Sequence, residues 1–378
     1  QIAELRNKES VHLSRICDVD CALSDLTATK STFREQDVHL HIAKQAQLTG
    51  DGSENIQQFA KFALSSEQVI KLGLDPKGNQ LYTTQEVIEV ELETINLAKA
   101  MGDSPHLAPD ELTLNSAISK KQKYCKYELS EEQIEGLKVA CNSKQLAILQ
   151  GSAGAGKSVS MEALRFAYEG KNQVVVGACI AKIAVDNLQT ETGIPSQTIA
   201  KLIHDYEQGK KPLANADVLL IDEAGQVGCK QMLTLLNMAK ESHTKIVLVG
   251  EDKQLDAIER GGVLSYLSRP EVIGAARIEK IQRQNTSWAR KAVSDLRDGN
   301  SQAALEALNA NSLLNFSSSF EGTIDALVDK WKSFTEQSDK KAVVLAQRWK
   351  EVNLLSERLR NIFQERGIVQ HQNIEFEC

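Results

Sequence analysis

Leu146-Ala147-Ile148-Leu149-Gln150-Gly151-Ser152-Ala153-Gly154-Ala155-Gly156-Lys157-Ser158 is an apolar run that empties into a glycine-rich octet. Gly151 to Ser158 fits G-x-x-x-x-G-K-[ST]. The continuous apolar run predicts a strand buried on both faces, and the octet opens a predicted helix. Glycines let the backbone curl so that N–H groups converge on one point, and a helix N-terminus adds its own unpaired donors. Phosphate suits such a cradle. Gly151, Ser152, Ala153, Gly154, Ala155 and Gly156 would line it, Lys157 would bridge β- and γ-phosphates, and the Ser158 hydroxyl would ligate Mg²⁺. ATP and Mg²⁺ are therefore the expected ligands.

Outward from this stretch the same alternation recurs. Val174-Val175-Val176, Val218-Leu219-Leu220-Ile221 and Ile246-Val247-Leu248-Val249 are short apolar strands, each followed by a loop and a helix-length segment. That pattern predicts an α/β, doubly wound parallel sheet with helices on both faces. The run Leu219-Leu220-Ile221 ends in Asp222-Glu223, which delivers two carboxylates to the sheet edge where ligands of open α/β sheets bind. Asp222 would hold Mg²⁺ through water, and Glu223 would polarise an attacking water. In Val249-Gly250-Glu251-Asp252-Lys253-Gln254-Leu255, Gln254 is placed to sense the γ-phosphate. Arg283, in Ile281-Gln282-Arg283-Gln284, is a candidate arginine finger from a second lobe. Upstream, Gln133 in Leu129-Ser130-Glu131-Glu132-Gln133 carries an amide that matches the donor–acceptor edge of adenine.

Three domains are expected: residues 1–110, 111–274 and 275–378. The first reads as a small helical, winged-helix-like module. Ser31-Thr32-Phe33 precedes a helix through Asp37, Leu40, Ile42 and Ala43, and Ser65-Ser66-Glu67-Gln68 looks like the cap of a second through Val69, Ile70 and Leu72. Pro76-Lys77-Gly78-Asn79 is a turn, Gln80-Leu81-Tyr82-Thr83 a short strand, and Thr83-Thr84-Gln85-Glu86 a capping box for a long helix. Lys120-Lys121-Gln122-Lys123 reads as a solvated connector, with a DNA contact as the alternative. Near the C-terminus, Ala342-Val343-Val344-Leu345 reads as a further strand before a helix through Val352, Leu355 and Leu359.

A length of 378 residues with 42% hydrophobic residues supports a sizeable core, and a net charge of −7 carries no global basic signature of a sequence-reading DNA binder. A motor that grips a strand along one local groove remains compatible with that charge. No apolar run approaches the ~18 residues of a bilayer span, so membrane insertion is not expected. The seven cysteines are scattered; Cys17 and Cys21 lack a matching second pair, and free thiols in a reducing cytoplasm are expected. His39 and His41 would point to different sides of a helix and read as surface histidines.

Together the Gln133 segment, Gly151 to Ser158, Asp222-Glu223-Ala224-Gly225, Gly250 to Leu255 and Gln282-Arg283-Gln284 resemble the RecD-like branch of superfamily 1 DNA helicases. More narrowly, with Ser31-Thr32-Phe33 and Leu81 to Glu86 included, the chain resembles the helicase portion of Ti-type conjugative transfer relaxases, the TraA family. The resemblance implies a RecA-like P-loop domain at 111–274 and a partial second RecA-like lobe at 275–378. It also implies a cytoplasmic protein that acts on single-stranded DNA, with other conjugation proteins, or a polypeptide completing the motor, as partners.

The sequence departs from that family in three respects. No tyrosine precedes Tyr82, so the family's nicking activity is not expected. The last helicase motifs are not present before Cys378, so autonomous unwinding is doubtful. Gly-Asp-Pro-x-Gln-Leu appears as Gly250 to Leu255 with Glu251 and Asp252, and Ala178 to Ala184 lacks the family's DNA-contacting threonine and proline while keeping Lys182. Two readings stand at this point. One is an ATP-hydrolysing part of a conjugative relaxase-helicase, with weak or conditional hold on single-stranded DNA. The other is a non-catalytic DNA-binding or docking module with a vestigial nucleotide pocket.

Overall fold

The computed structural model describes residues 19–28, 30–49, 56–125, 128–152, 154–251, 262–280, 284, 286–337 and 342–369. Two compact units, Gln1–Asn285 and Thr286–Cys378, make up the chain.

The first unit opens with α1 (Val19–Ala28), β1 (Phe33–Arg34), α2 (Glu35–Thr49), α3 (Ile56–Leu64), β2 (Val69–Leu74) and β3 (Gln80–Thr84). The strands form an antiparallel sheet in the order β1-β3-β2. Helix, strand, two helices and a hairpin is the element order of a winged helix. Its core gathers Leu23, Phe33, Val38, Ile42, Ala60 and Tyr82, with the Phe33 and Tyr82 rings stacked 6.0 Å apart.

Val69, Ile70 and Leu72 lie in β2, not in the expected helix. The turn after them decides the matter. Asp75 Oδ1 accepts from the N–H groups of Lys77 at 2.9 Å and Asn79 at 2.8 Å, which folds the chain back onto β3. The ladder to β3 then satisfies the backbone of two β-branched residues that favour strand over helix. The following cap also sits one residue later than expected. Thr84 accepts from Val87 N at 3.3 Å, and the Thr83 hydroxyl donates instead to Ser31 O at 2.7 Å.

The α/β body follows: α4 (Gln85–Asp103), α5 (Glu111–Cys125), α6 (Glu131–Ala140), β4 (Leu146–Gly151), α7 (Lys157–Glu169), β5 (Val175–Cys179), α8 (Lys182–Thr192) and β6 (Ser196–Thr198). It continues with α9 (Ile199–Glu207), β7 (Val218–Ile221), α10 (Cys229–Glu241), β8 (Lys245–Gly250), α11 (Leu264–Leu267) and β9 (Ala276–Ile278). The six strands are parallel, in the order β6-β5-β7-β8-β4-β9. Side chains alternate between two cores, as the period of a strand requires. Leu146, Ile148, Leu219, Ile221, Ile246 and Leu248 face α4, α9 and α10. Leu149, Val218, Leu220, Val247 and Val249 face α5, α6, α7 and α8. This is the α/β architecture expected, a RecA-like P-loop sheet covered on both faces.

Two expected boundaries meet a different packing. α4, assigned from sequence to the N-terminal module, buries Leu97, Ala98 and Met101 in the core shared with α10. β9, assigned to the third domain, pairs with β4, so the first unit runs on to Asn285. The Lys120 to Lys123 stretch is no loose connector. It lies in α5, where Lys121 pairs with Glu162 and the Lys120 ammonium sits 4.0 Å above the Phe166 ring.

The second unit holds α12 (Ser287–Arg297), α13 (Ser301–Ala310), α14 (Phe320–Gln337) and α15 (Trp349–Glu365). Trp331 meets Phe363 edge-on at 5.3 Å, and Arg366 pairs with Glu336 at 2.9 Å. The strand expected at Ala342 to Leu345 does not form: Val343 and Leu345 are 81% and 86% exposed, outside any ladder. A strand needs a neighbour to take its N–H and C=O groups, and among the described residues of this unit no strand stands beside it.

Among the described residues, Cys21, Cys125, Cys141, Cys179 and Cys229 form no disulfide. His39 faces Glu35 and His41 faces Asp25. No helix among the described residues is long and apolar enough to cross a membrane.

Candidate nucleotide-binding site

β4 is buried along its whole length and stops at Gly151, where the chain turns through the P-loop into α7. Gly154 and Gly156 take φ of +80° and +85°, left-handed values that glycine adopts without a side-chain penalty. Gly156 precedes α7 and its carbonyl accepts from Val159 N at 3.1 Å, with no side chain capping the first helical N–H groups. Their partial positive charge favours an anion there. Ser152 N donates to Ile278 O and Ala155 N to Ser152 O, both at 3.0 Å, which fixes the loop to β9 and to itself. Lys157 folds back over Gly151, its ammonium 2.6 Å from the Gly151 carbonyl. Ala153 lies outside the described residues.

A second support comes from α6. Ser130 and Gln133 form a reciprocal capping box: Gln133 N donates to the Ser130 hydroxyl at 3.3 Å, and Ser130 N donates to Gln133 Oε1 at 3.0 Å. The other end of that amide, Gln133 Nε2, donates to Ala155 O at 3.2 Å. Gln133 is thus buried as a strap between α6 and the P-loop. An adenine edge would have to compete with Ser130 and Ala155 for it. Next to it, Glu132 Oε2 accepts from the N–H groups of Glu279 and Lys280 at 2.8 and 2.9 Å.

β7 brings the acids. Asp222 N donates to Ala178 O at 3.0 Å, which continues the parallel ladder by one residue, and Asp222 Oδ1 accepts from Glu223 N at 2.9 Å. Glu223 sits at φ +54°, a left-handed value that costs a non-glycine residue about 1 kcal/mol or more. That turn ends β7 sharply and leads into a single 3-10 turn at Ala224–Gln226, whose Gln226 amide donates to Glu223 Oε2 at 3.4 Å. Burial pushes the Asp222 carboxyl above its ordinary range; the Glu223 N–H and the Lys157 ammonium pull it down, and the Glu223 and Glu191 carboxylates push it further up. Burial likewise pushes the Cys179 thiol up to about 12, with Asp222 and Glu223 adding to it. A buried thiol of that kind is unreactive.

Lys157, Ser158, Asp222 and Glu223 therefore share the C-terminal edge of the sheet, with β8 between their strands. Gln254 and Arg283 lie outside the described residues. Two side chains at this edge escaped the sequence reading. The Ser158 hydroxyl donates to Glu191, near the end of α8, and Gln226 holds Glu223. Nothing in their local sequence sets either apart from an ordinary polar helix or turn residue.

The oxygen donors present fit a small hard cation, because Mg²⁺ prefers hydroxyl, carboxylate, water and phosphate oxygens. Among the described residues no three His, Cys, Asp or Glu side chains converge as a protein-only metal cage. That also fits Mg²⁺, which is held mostly through bound phosphates and water.

Comparison with known proteins follows the same residues. The chain is 30% identical over 377 residues to the conjugal transfer protein TraA of Rhizobium radiobacter, covering 98% of this chain and 33% of that protein. It is 27% identical over 196 residues to the multifunctional conjugation protein TraI of Escherichia coli (strain K12), covering 48% of this chain and 11% of that one. The chain thus spans about a third of the length of the TraA relatives it matches. The structure of unliganded Pif1 from Bacteroides sp overlays on 47% of this chain and 48% of that chain at 16% identity, with a TM-score of 0.33. The model of the AAA domain family matches residues 128–319, from the cap of α6 past the P-loop and the paired acids. By that match the chain belongs to the AAA domain family.

Proposed function

We propose that the chain binds ATP with Mg²⁺, hydrolyses it, and uses it as part of a RecD-like motor acting on single-stranded DNA during conjugative transfer in the cytoplasm. The observation that carries this reading is the meeting of Lys157 and Ser158 with Asp222 and Glu223 at one sheet edge. Lys157 would leave the Gly151 carbonyl for the β- and γ-phosphates, and N–H groups of the P-loop and the start of α7 would bind their oxygens. Ser158 and, through water, Asp222 would hold Mg²⁺, which supplies charge neutralisation at the phosphates when bound. Glu223, aimed off the end of β7 and steadied by Gln226, would orient the attacking water and accept its proton. Gln254 and Arg283 keep their sequence-based roles, the first as γ-phosphate sensor and the second as arginine finger. Gln133 would hold the loop in shape and exchange one of its contacts for adenine. We also propose three functional blocks: a winged-helix-like linker, the ATPase body and a C-terminal block whose described residues form helices.

The hold on DNA is expected to be weak. At the head of α8, Lys182 is ion-paired with Asp186 at 2.6 Å and Ile183 is 73% exposed, where the family has a DNA-contacting segment. This favours, as a second reading, a docking module that keeps nucleotide without turning it over. Steady-state ATPase assays with and without single-stranded DNA separate the two. The motor reading expects turnover that DNA stimulates and that Lys157→Ala lowers by about 10²-fold or more. Equal rates in wild type and Lys157→Ala would sink it; tight nucleotide binding without turnover would favour the docking module.

A further inference from the structure

Glu191 is an awkward residue for its position. It lies in the last turn of α8, one residue before Thr192, where the helix dipole disfavours a negative charge. Its place is nevertheless fixed. Arg165 Nε donates to Thr192 O at 2.7 Å, the Thr192 hydroxyl donates to Leu188 O at 2.6 Å, and Gly193 closes the helix at φ +69°. Leu188 and Thr192 are buried, while Glu191 is exposed on the side of the nucleotide site. Among the described residues no cation pairs with it. The group it meets is the Ser158 hydroxyl at the electropositive start of α7, and its charge also reaches Asp222.

A serine hydroxyl has one proton to give and two lone pairs to offer. With the proton donated to a carboxylate, the lone pairs point away from that carboxylate and the oxygen becomes a better donor toward a cation. Partners of this kind, one shell out from a metal, orient the ligand and raise its basicity.

We propose that Glu191 is a positioning residue for Mg²⁺: it accepts a hydrogen bond from the Ser158 hydroxyl so that the lone pairs of the Ser158 oxygen are presented to the cation. The inference rests on the reading of this edge as a Mg·ATP site, and its test separates the two. Binding of a fluorescent ADP is measured in EDTA and across a Mg²⁺ titration, for wild type, Glu191→Ala and Glu191→Gln. The expected result is that Glu191→Ala raises the Mg²⁺ needed for half-maximal tightening by about 10-fold or more, with metal-free affinity kept within about twofold. Glu191→Gln, whose carbonyl accepts the same hydrogen bond, should recover most of the loss. In a Ser158→Ala background, Glu191→Ala should add nothing further. An unchanged or lowered Mg²⁺ requirement in Glu191→Ala, or independent losses in the double variant, would overturn the assignment. Failure of the wild type to bind nucleotide at all would instead overturn the nucleotide-site reading beneath it.

Discussion

Two lysines stand at opposite ends of one parallel sheet, and their settings differ in kind. Lys157, at the C-terminal end, leans on the Gly151 carbonyl at the start of α7, which no side chain caps. Lys245, at the N-terminal end of β8, is completely buried, and its ammonium donates to the carbonyls of Asn142 and Lys144 and to the Asn142 side chain. Burial pushes its pKa down from 10.5 to about 8, and the neighbouring Cys141 thiol is pushed up to about 12 by the same cause. One end of the sheet holds its polar groups with partners that a ligand can replace. The other locks a fully buried ammonium against the loop backbone of Asn142 and Lys144. The difference teaches where this molecule stores stability and where it keeps groups available for chemistry.

The sharpest way to break the comparison is at the acids. Glu223→Gln should lower ATP turnover by about 10²-fold or more, as expected for loss of a general base, while nucleotide affinity and thermal midpoint hold. A fall in thermal midpoint alongside activity would mean that the C-terminal edge also carries stability, and the contrast would fail.

At the other end the signs reverse. Lys245→Met leaves the Asn142 and Lys144 carbonyls without the Lys245 donor, while Asn142 Oδ1 keeps Lys144 N at 3.1 Å, and should cost about 3 kcal/mol in urea denaturation, with nucleotide affinity unchanged. The pH dependence sharpens this. The folded protein releases the Lys245 proton near pH 8 and the unfolded chain near 10.5, so between those values the unfolded state binds more protons. Wild-type stability measured against Lys245→Met should therefore be flat below pH 8 and rise by roughly 1.4 kcal/mol per unit above it. A flat difference across that window would show that the three acceptors fully compensate the buried charge.

The smallest effect is expected at Gln150, which sits under the P-loop, 3% exposed, with neither amide atom finding a hydrogen-bond partner among the described residues. Gln150→Leu should raise stability by about 1 kcal/mol. If turnover slows at the same time, Gln150 serves the site despite its burial; if not, it is a packing cost at an otherwise functional edge.

What could be read from sequence follows the same divide. β4, β7 and β8 are buried on both faces, so their composition is nearly all apolar and their ends are clear. The octet and the Asp222–Glu223 pair sit at those ends, which is why their placement at one edge could be anticipated. β6 (Ser196–Thr198) and β9 (Ala276–Ile278) are three-residue edge strands whose existence depends on the ladder beside them, and no local run announces them. Val69 to Leu74 has apolar spacing that a helix could also use, and only the turn made by Asp75 selects the hairpin. Ala342 to Leu345 shows the converse: strand composition without a neighbour to pair with. Glu191 escaped because its meaning lies in a contact 33 residues away from Ser158.

β9 has a mechanical consequence. It is the edge strand beside β4, and the backbone just past it, at Glu279 and Lys280, hangs from the Glu132 carboxylate. A pull along the chain beyond Lys280 would first strain that anchor and then the β9–β4 ladder. Strands pulled along their length load their hydrogen bonds in shear, all at once. The last of those attachments joins Ile278 to Ser152. Tension in the chain would thus be delivered straight into the loop that cradles phosphate, so the same few residues would act as both grip and strain gauge.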